Sequence, residues 1–167
     1  MTSKTKSMAF LGLCTTLALI LAYVETLMPP LFAAVPGIKV GLPNIIIIFL
    51  LYRKNAMSAI AVSFLRMTLV TMLFGNVMMF LYSLAGALLS MLTMILLRRF
   101  NIVSMVGVSV AGAVMHNVGQ TLMAMLLLDT TELAYYLVVL LITGTIAGIF
   151  IGLCGSILVK RYPKRLI

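Results

Sequence analysis

Six apolar runs, joined by connections that are basic at every second position, leave this chain few folds to choose from. A helix needs about 20 apolar residues to cross a bilayer. Within lipid every backbone polar group must find its partner inside the segment, which favours helices. The runs place helices at about 7–28, 40–52, 55–73, 77–97, 102–128 and 132–160. Pro29-Pro30 ends the first, and Pro36-Gly37 marks the loop that follows.

Charge supports the alternation. Lys4 and Lys6 precede the first helix, Arg53 and Lys54 join the second and third, Arg98 and Arg99 the fourth and fifth, and Lys160, Arg161, Lys164 and Arg165 close the chain. The intervening connections carry Lys39, no charge at Phe74-Gly75-Asn76, and Asp129 with Glu132. Ten basic residues on one side against one on the other predict cytoplasmic termini. The expected fold is an all-α integral membrane bundle of six transmembrane helices, one domain over residues 1–167.

Composition agrees. The chain is 63% hydrophobic and 9% charged, against about 45–50% and 25% in soluble domains. The net charge of +9 does not indicate nucleic acid, because it is confined to loops and ends without a basic face bearing interleaved aromatics. Cys14 and Cys154 lie inside apolar runs and read as small buried hydrophobes, not as a disulfide or metal pair. The start resembles a signal peptide in charge, but the run from Met8 to Val24 has the length of a spanning helix.

Polar residues inside hydrocarbon are costly and usually functional. Here they are Glu25, Asn44, Arg66, His116, Asn117 and Gln120. At 100° per residue, Ser109, Ala113, His116, Asn117 and Gln120 share one helical arc. Arg66 falls about 16 Å from the inner end of its helix, and His116 to Gln120 about 20–27 Å from the start of theirs. Glu25 and Asn44 are near outer ends, so all six converge on the outer half. Glu25 and Arg66 read equally as a structural pair or as part of a site where Arg66 holds a phosphate or carboxylate. His116 reads as an interhelical bond or as a ligand contact. Lys39 and the start of the second helix, with Pro43 in its first turn, would add anion-binding character. The loop 29–38 reads as a lid.

Catalysis is not expected. The acids number three, and no paired carboxylates, credible Ser-His-Asp set or phosphate-cradling loop is present. Neither a metal site nor a cofactor is expected. Gly144, Gly148, Gly152 and Ser156 form a small-residue ridge on the sixth helix, and Ser83 with Ala87 and Gly86 with Ser90 do so on the fourth. Such ridges let helices pack closely, within the chain or against another subunit.

Three stretches resemble a known family. Lys39-Val40-Gly41-Leu42-Pro43-Asn44 looks like its K-x-G-L-x-N element. The run from Ser83 to Ser90 resembles its S-L-A-G-x-L-L-S, and that from Gly112 to Gln120 its G-A-x-x-H-N-x-G-Q. Glu25 and Arg66 also fall where the family places them. The family is the Gx transporter group, often labelled heptaprenyl diphosphate synthase component I. Its fold is similar to the substrate-binding S component of energy-coupling factor (ECF) transporters. The resemblance implies a multi-pass protein of a bacterial-type cell membrane with a pocket open to the outside. Its partners would be a shared transmembrane scaffold subunit and two cytoplasmic ATPases that use the ATP. Helix 1 would dock on the scaffold through Ala18 and Ala22, which fit Ala-x-x-x-Ala, or through the shallower Gly12 and Thr16.

Three functions follow as expectations. The first is an S-like component for a small anionic or polar-headed molecule, isoprenoid- or quinone-related or flavin-like. The second is a membrane subunit of a prenyl diphosphate or quinone biosynthetic complex. The third is a stand-alone small-solute carrier.

Overall fold

The computed structural model describes residues 3–27 and 41–162. They form six helices: α1 (Ser3–Leu27), α2 (Asn44–Arg53), α3 (Ala56–Phe74), α4 (Val77–Phe100), α5 (Met105–Leu128) and α6 (Ala134–Arg161). No strand occurs among the described residues. Five of the helices are long and apolar enough to cross a membrane; α2 is not. Their outward faces are apolar, with Met72, Leu126 and Tyr135 about four-fifths exposed. That is the pattern expected of a bundle whose solvent is hydrocarbon.

Local chemistry sets the boundaries. Asn55, Asn76 and Ser104 each accept from a backbone N–H three residues on, at 2.7, 2.9 and 3.2 Å, and so open α3, α4 and α5. Asn101 and Asp129 close α4 and α5 in the left-handed conformation, with φ of 55° and 48°. The cap at Ser104 starts α5 three residues later than the apolar run alone predicts. α4 runs on through Arg98 and Arg99 to Phe100; both basic residues sit in its last turn, which the helix macrodipole favours. α1 begins at Ser3 and α6 at Ala134.

The second helix is corrected most. It opens at Asn44, with Pro43 as its N-cap and not in its first turn. Its ten residues rise about 15 Å at 1.5 Å per residue. Ile46 to Leu51 are all buried, an unbroken run of six. A helix apolar all round belongs inside a protein. α2 accordingly packs against α1, α3 and α6, and Leu50, Leu51, Ala18, Ala59 and Val108 in the surrounding core are fully buried.

The glycines fix the other contacts. A Cβ on Gly155 of α6 would lie 2.6 Å from Ile48 of α2. One on Gly148 or Gly152 would lie 2.7 or 2.8 Å from the α5 backbone at Val110 or Val106. The α6 ridge thus packs within the chain. On the other side of α5, Gly119 approaches the Ala85 carbonyl of α4, and Gly112 approaches Met94. Close backbone approach is what small residues give a membrane bundle, where apolar burial alone does not drive helices together.

The basic connections gather at one end. Lys54 Nζ donates to Ser7 Oγ at 2.6 Å and lies 5.4 Å from the Phe10 ring centroid. Arg98 lies 5.2 Å from the Tyr52 ring, and Phe49 meets Tyr162 edge-on at 6.5 Å. These contacts bring together the start of α1, the α2–α3 turn and the ends of α4 and α6. At the opposite end the rings of Tyr23 and Phe74 meet at 5.6 Å.

Candidate functional site

A cavity of about 160 Å³ lies between the helices, and every one of the six lines it. Glu25 comes from α1, Asn44 from α2, Arg66 from α3, Ser83 from α4, His116, Asn117 and Gln120 from α5, and Thr143 from α6. Glu25 is near the last turn of α1 and Asn44 opens α2, so the cavity sits toward the end away from the basic cluster. Six of the seven residues singled out from the sequence therefore share one wall. Lys39, and the loop 29–38, lie outside the described residues.

Backbone geometry places these groups. Glu25 accepts a hydrogen bond from the Gly41 N–H, which ties α1 to the approach to α2. Gly41 has φ +79°, a conformation that costs an L side chain about 1–2 kcal/mol. His116 and Gln120 have room only because residue 86 is glycine. A Cβ there would lie 2.7 Å from Gln120 Cγ, 2.8 Å from the His116 carbonyl and 3.0 Å from the imidazole Cε1.

The ionisable groups share the cavity. Glu25 acts electrostatically on Arg66, and Arg66 on His116. The Arg66 Nε is buried without a hydrogen-bond partner among the described residues. A buried donor left open in a native fold calls for an explanation, and a bound acceptor is one. The side chains of Asn44, Ser83 and Gln120 also bond to no other described residue. Two amides and a hydroxyl supply both donors and acceptors to whatever fills the space. Met67, Val70, Ile151 and Leu140 furnish apolar wall between them.

Asn117 differs from its neighbours. Its Nδ2 donates to the Leu140 carbonyl of α6 at 2.5 Å. That bond joins α5 to α6, so the amide nitrogen is engaged in structure while the residue still borders the cavity. Ser109, on the same predicted arc, lies deeper; it is 4% exposed and packs on Gly152. Ser83 and Thr143 line the cavity although the sequence reading passed them over. Ser83 was read as part of a packing ridge and of a family-like run, not as a site residue. Thr143 precedes Gly144 of the other ridge, and a hydroxyl flanking a glycine ridge was the available signal.

Helix 1 needs a correction. Ala18 and Ala22 are 0% and 6% exposed. Ala18 belongs to the core cluster and Ala22 lines the cavity. Both methyls point into this chain, so the pair offers no face to a second subunit. Gly12 and Thr16 are exposed, and a Cβ on Gly12 would meet nothing within 4 Å.

An all-helical bundle with lipid-type outer faces and a polar cavity reached by every helix defines a membrane component that holds a small molecule's worth of space. The chain belongs to the heptaprenyl diphosphate synthase component I family, whose model matches residues 14–158. No curated protein and no solved structure matches it.

Proposed function

We propose that the chain is the substrate-binding membrane component of an ATP-driven transporter of the ECF type, for a small polar-headed or anionic molecule. In this reading all six helices are embedded in a bacterial cytoplasmic membrane, with both termini cytoplasmic and the cavity in the outer half. The gathering of basic residues at one end supports that orientation. The observation that carries the reading is the convergence of Glu25, Asn44, Arg66, His116 and Gln120 on one cavity. Buried polar groups in a membrane protein mark a ligand path by default.

Size limits what enters. A cavity of about 150 Å³ holds a benzene ring, so 160 Å³ suits a ring-sized solute or a head group. The chain itself performs no chemistry in this reading. A scaffold subunit would dock on the outward face of α1 around Gly12 and Thr16, and two cytoplasmic ATPases would supply the work. The test is co-purification with a coupling module, followed by ATP-dependent uptake in vesicles. Association together with uptake that Arg66→Ala abolishes supports the proposal. Failure to associate, or uptake indifferent to Arg66→Ala, removes it.

The family description favours a second reading, a membrane subunit of a prenyl diphosphate biosynthetic complex. It predicts that the chain raises prenyl diphosphate formation when added to a soluble, Asp-rich partner. Absence of any stimulation argues against it.

A further inference from the structure

We propose that the basic end of the bundle binds the headgroup of an anionic phospholipid, with Arg53 of α2 and Arg98 of α4 on its phosphate oxygens. The site lies at the end away from the cavity and does not depend on the transport reading.

The distribution of acids carries the argument. The sequence holds three side-chain carboxylates, Glu25, Asp129 and Glu132. Glu25 is two residues from the end of α1, and the other two lie where α5 passes into α6. Both places are at the end opposite Arg53, Lys54, Arg98, Arg99, Lys160 and Arg161. No acidic side chain of the sequence is therefore placed to neutralise these cations. Like charges gathered in this way repel one another, and an anion brought among them relieves the repulsion.

Two of the cations are set to receive it. Arg98 rests against the Tyr52 ring, 5.2 Å from its centroid, a contact that holds a charge without using its N–H donors. Arg53 follows Tyr52 in α2, and its Nε is buried without a hydrogen-bond partner among the described residues. A buried donor calls for an acceptor, and the guanidinium fork matches phosphate oxygens two at a time. Phe49, one turn before Arg53 on the same helix face, packs edge-on against Tyr162. That contact brings Lys160 and Arg161 alongside. Lys54 is engaged elsewhere, by Ser7 and Phe10 of α1.

Apolar surface beside the cations selects a lipid over a soluble anion. Ile157 is four residues before Arg161, and Leu96 three before Arg99, so each shares a helix face with its cation. Ile157 is 63% exposed and Leu96 44%. Acyl chains cover these side chains while the headgroup meets the charges; a free phosphate meets the charges alone.

The test is native mass spectrometry of the full chain from micelles doped with phosphatidylglycerol or phosphatidylcholine, with unfolding temperatures measured in parallel. Wild type is expected to retain phosphatidylglycerol about tenfold or more over phosphatidylcholine, because the attraction of an anionic lipid to surface Lys and Arg accumulates over several cations. Arg53→Gln/Arg98→Gln is expected to lose that preference. Lys4→Gln/Lys6→Gln removes the same charge from exposed positions at the same end and is expected to keep most of it. Equal retention of the two lipids by wild type would overturn the proposal, whether or not the variants fold. Equal loss in the two double variants would also overturn it, by reducing the effect to diffuse charge. Inorganic phosphate is expected neither to raise the unfolding temperature nor to displace the lipid. Displacement would assign the site to a soluble anion and overturn the lipid assignment.

Discussion

Asn117 of α5 bonds to the Leu140 carbonyl of α6 at 2.5 Å because residue 144, one turn further along α6, has no side chain. A Cβ on Gly144 would lie 2.5 Å from the same Asn117 nitrogen. Gly144→Ala is therefore expected to break the bond and lower stability by about 1–3 kcal/mol. In an Asn117→Ala background the same substitution is expected to cost less, since the clash and the bond are both already gone. Thermal unfolding of the two single variants and the double variant measures the difference.

The described glycines divide into those that are packed and one that is not. Gly86→Ala drives a methyl into Gln120 and His116 and is expected to lower both the unfolding temperature and ligand retention. Gly12→Ala meets open space and is expected to be neutral or to stabilise by up to about 1 kcal/mol, as helix propensity dictates. Gly12→Leu should likewise fold. If the scaffold docks here, that bulk is expected to abolish co-purification while leaving the unfolding temperature unchanged.

Gly41 adopts φ +79°. Gly41→Val is expected to cost about 1–2 kcal/mol or more, and Gly41→Asn less, because asparagine tolerates the left-handed region. Parallel unfolding curves of the two variants give the ordering; equal losses would contradict the backbone explanation.

Glu25 and Arg66 are expected to be energetically coupled. Arg66→Met removes a cation that acts on the Glu25 carboxylate, so adding Glu25→Gln should recover part of the loss. A double-mutant cycle should yield a coupling of about 0.5–3 kcal/mol. Additive losses would mean that the two side chains do not act as a pair.

Orientation is open to labelling. With Cys14 and Cys154 replaced by serine, Asn101→Cys is expected to react with a membrane-impermeant thiol reagent only from the cytoplasmic side. Asn76→Cys and Thr131→Cys should react only from outside. All three positions are exposed. Labelling of Asn101→Cys and Asn76→Cys from the same side would refute the orientation proposed above.

Much of this fold was legible in the sequence because a membrane bundle spells out its helices as apolar runs and its basic end as lysines and arginines. The polar cavity residues were legible for the complementary reason: Arg66 and His116 are conspicuous in an apolar helix. What escaped was packing direction. Ala18-Leu19-Ile20-Leu21-Ala22 has the spacing of a docking ridge, yet small residues make the same pattern whether a helix approaches its own chain or another. Thr143 was missed for a related reason, since a hydroxyl that bonds its own helix backbone, as Thr143 does to Val139 at 2.9 Å, costs nothing visible in lipid. The start of α2 was misjudged because Val40 to Leu42 are apolar, while the turn at residues 42–43 depends on backbone conformation at Gly41.

The brevity of α2 bears on how such a protein is made. A ten-residue helix is about half the length a bilayer demands, so the insertion machinery has no reason to retain it on hydropathy alone. Its isoleucines find their surroundings only when α1, α3 and α6 are present. α6 lies more than eighty residues further along the chain. In the reading proposed above, the segment enters as a hairpin with α3, bent at Arg53 and Lys54, and awaits its final partner until α6 has been made. Removal of α6 would thus unseat a segment laid down more than eighty residues earlier.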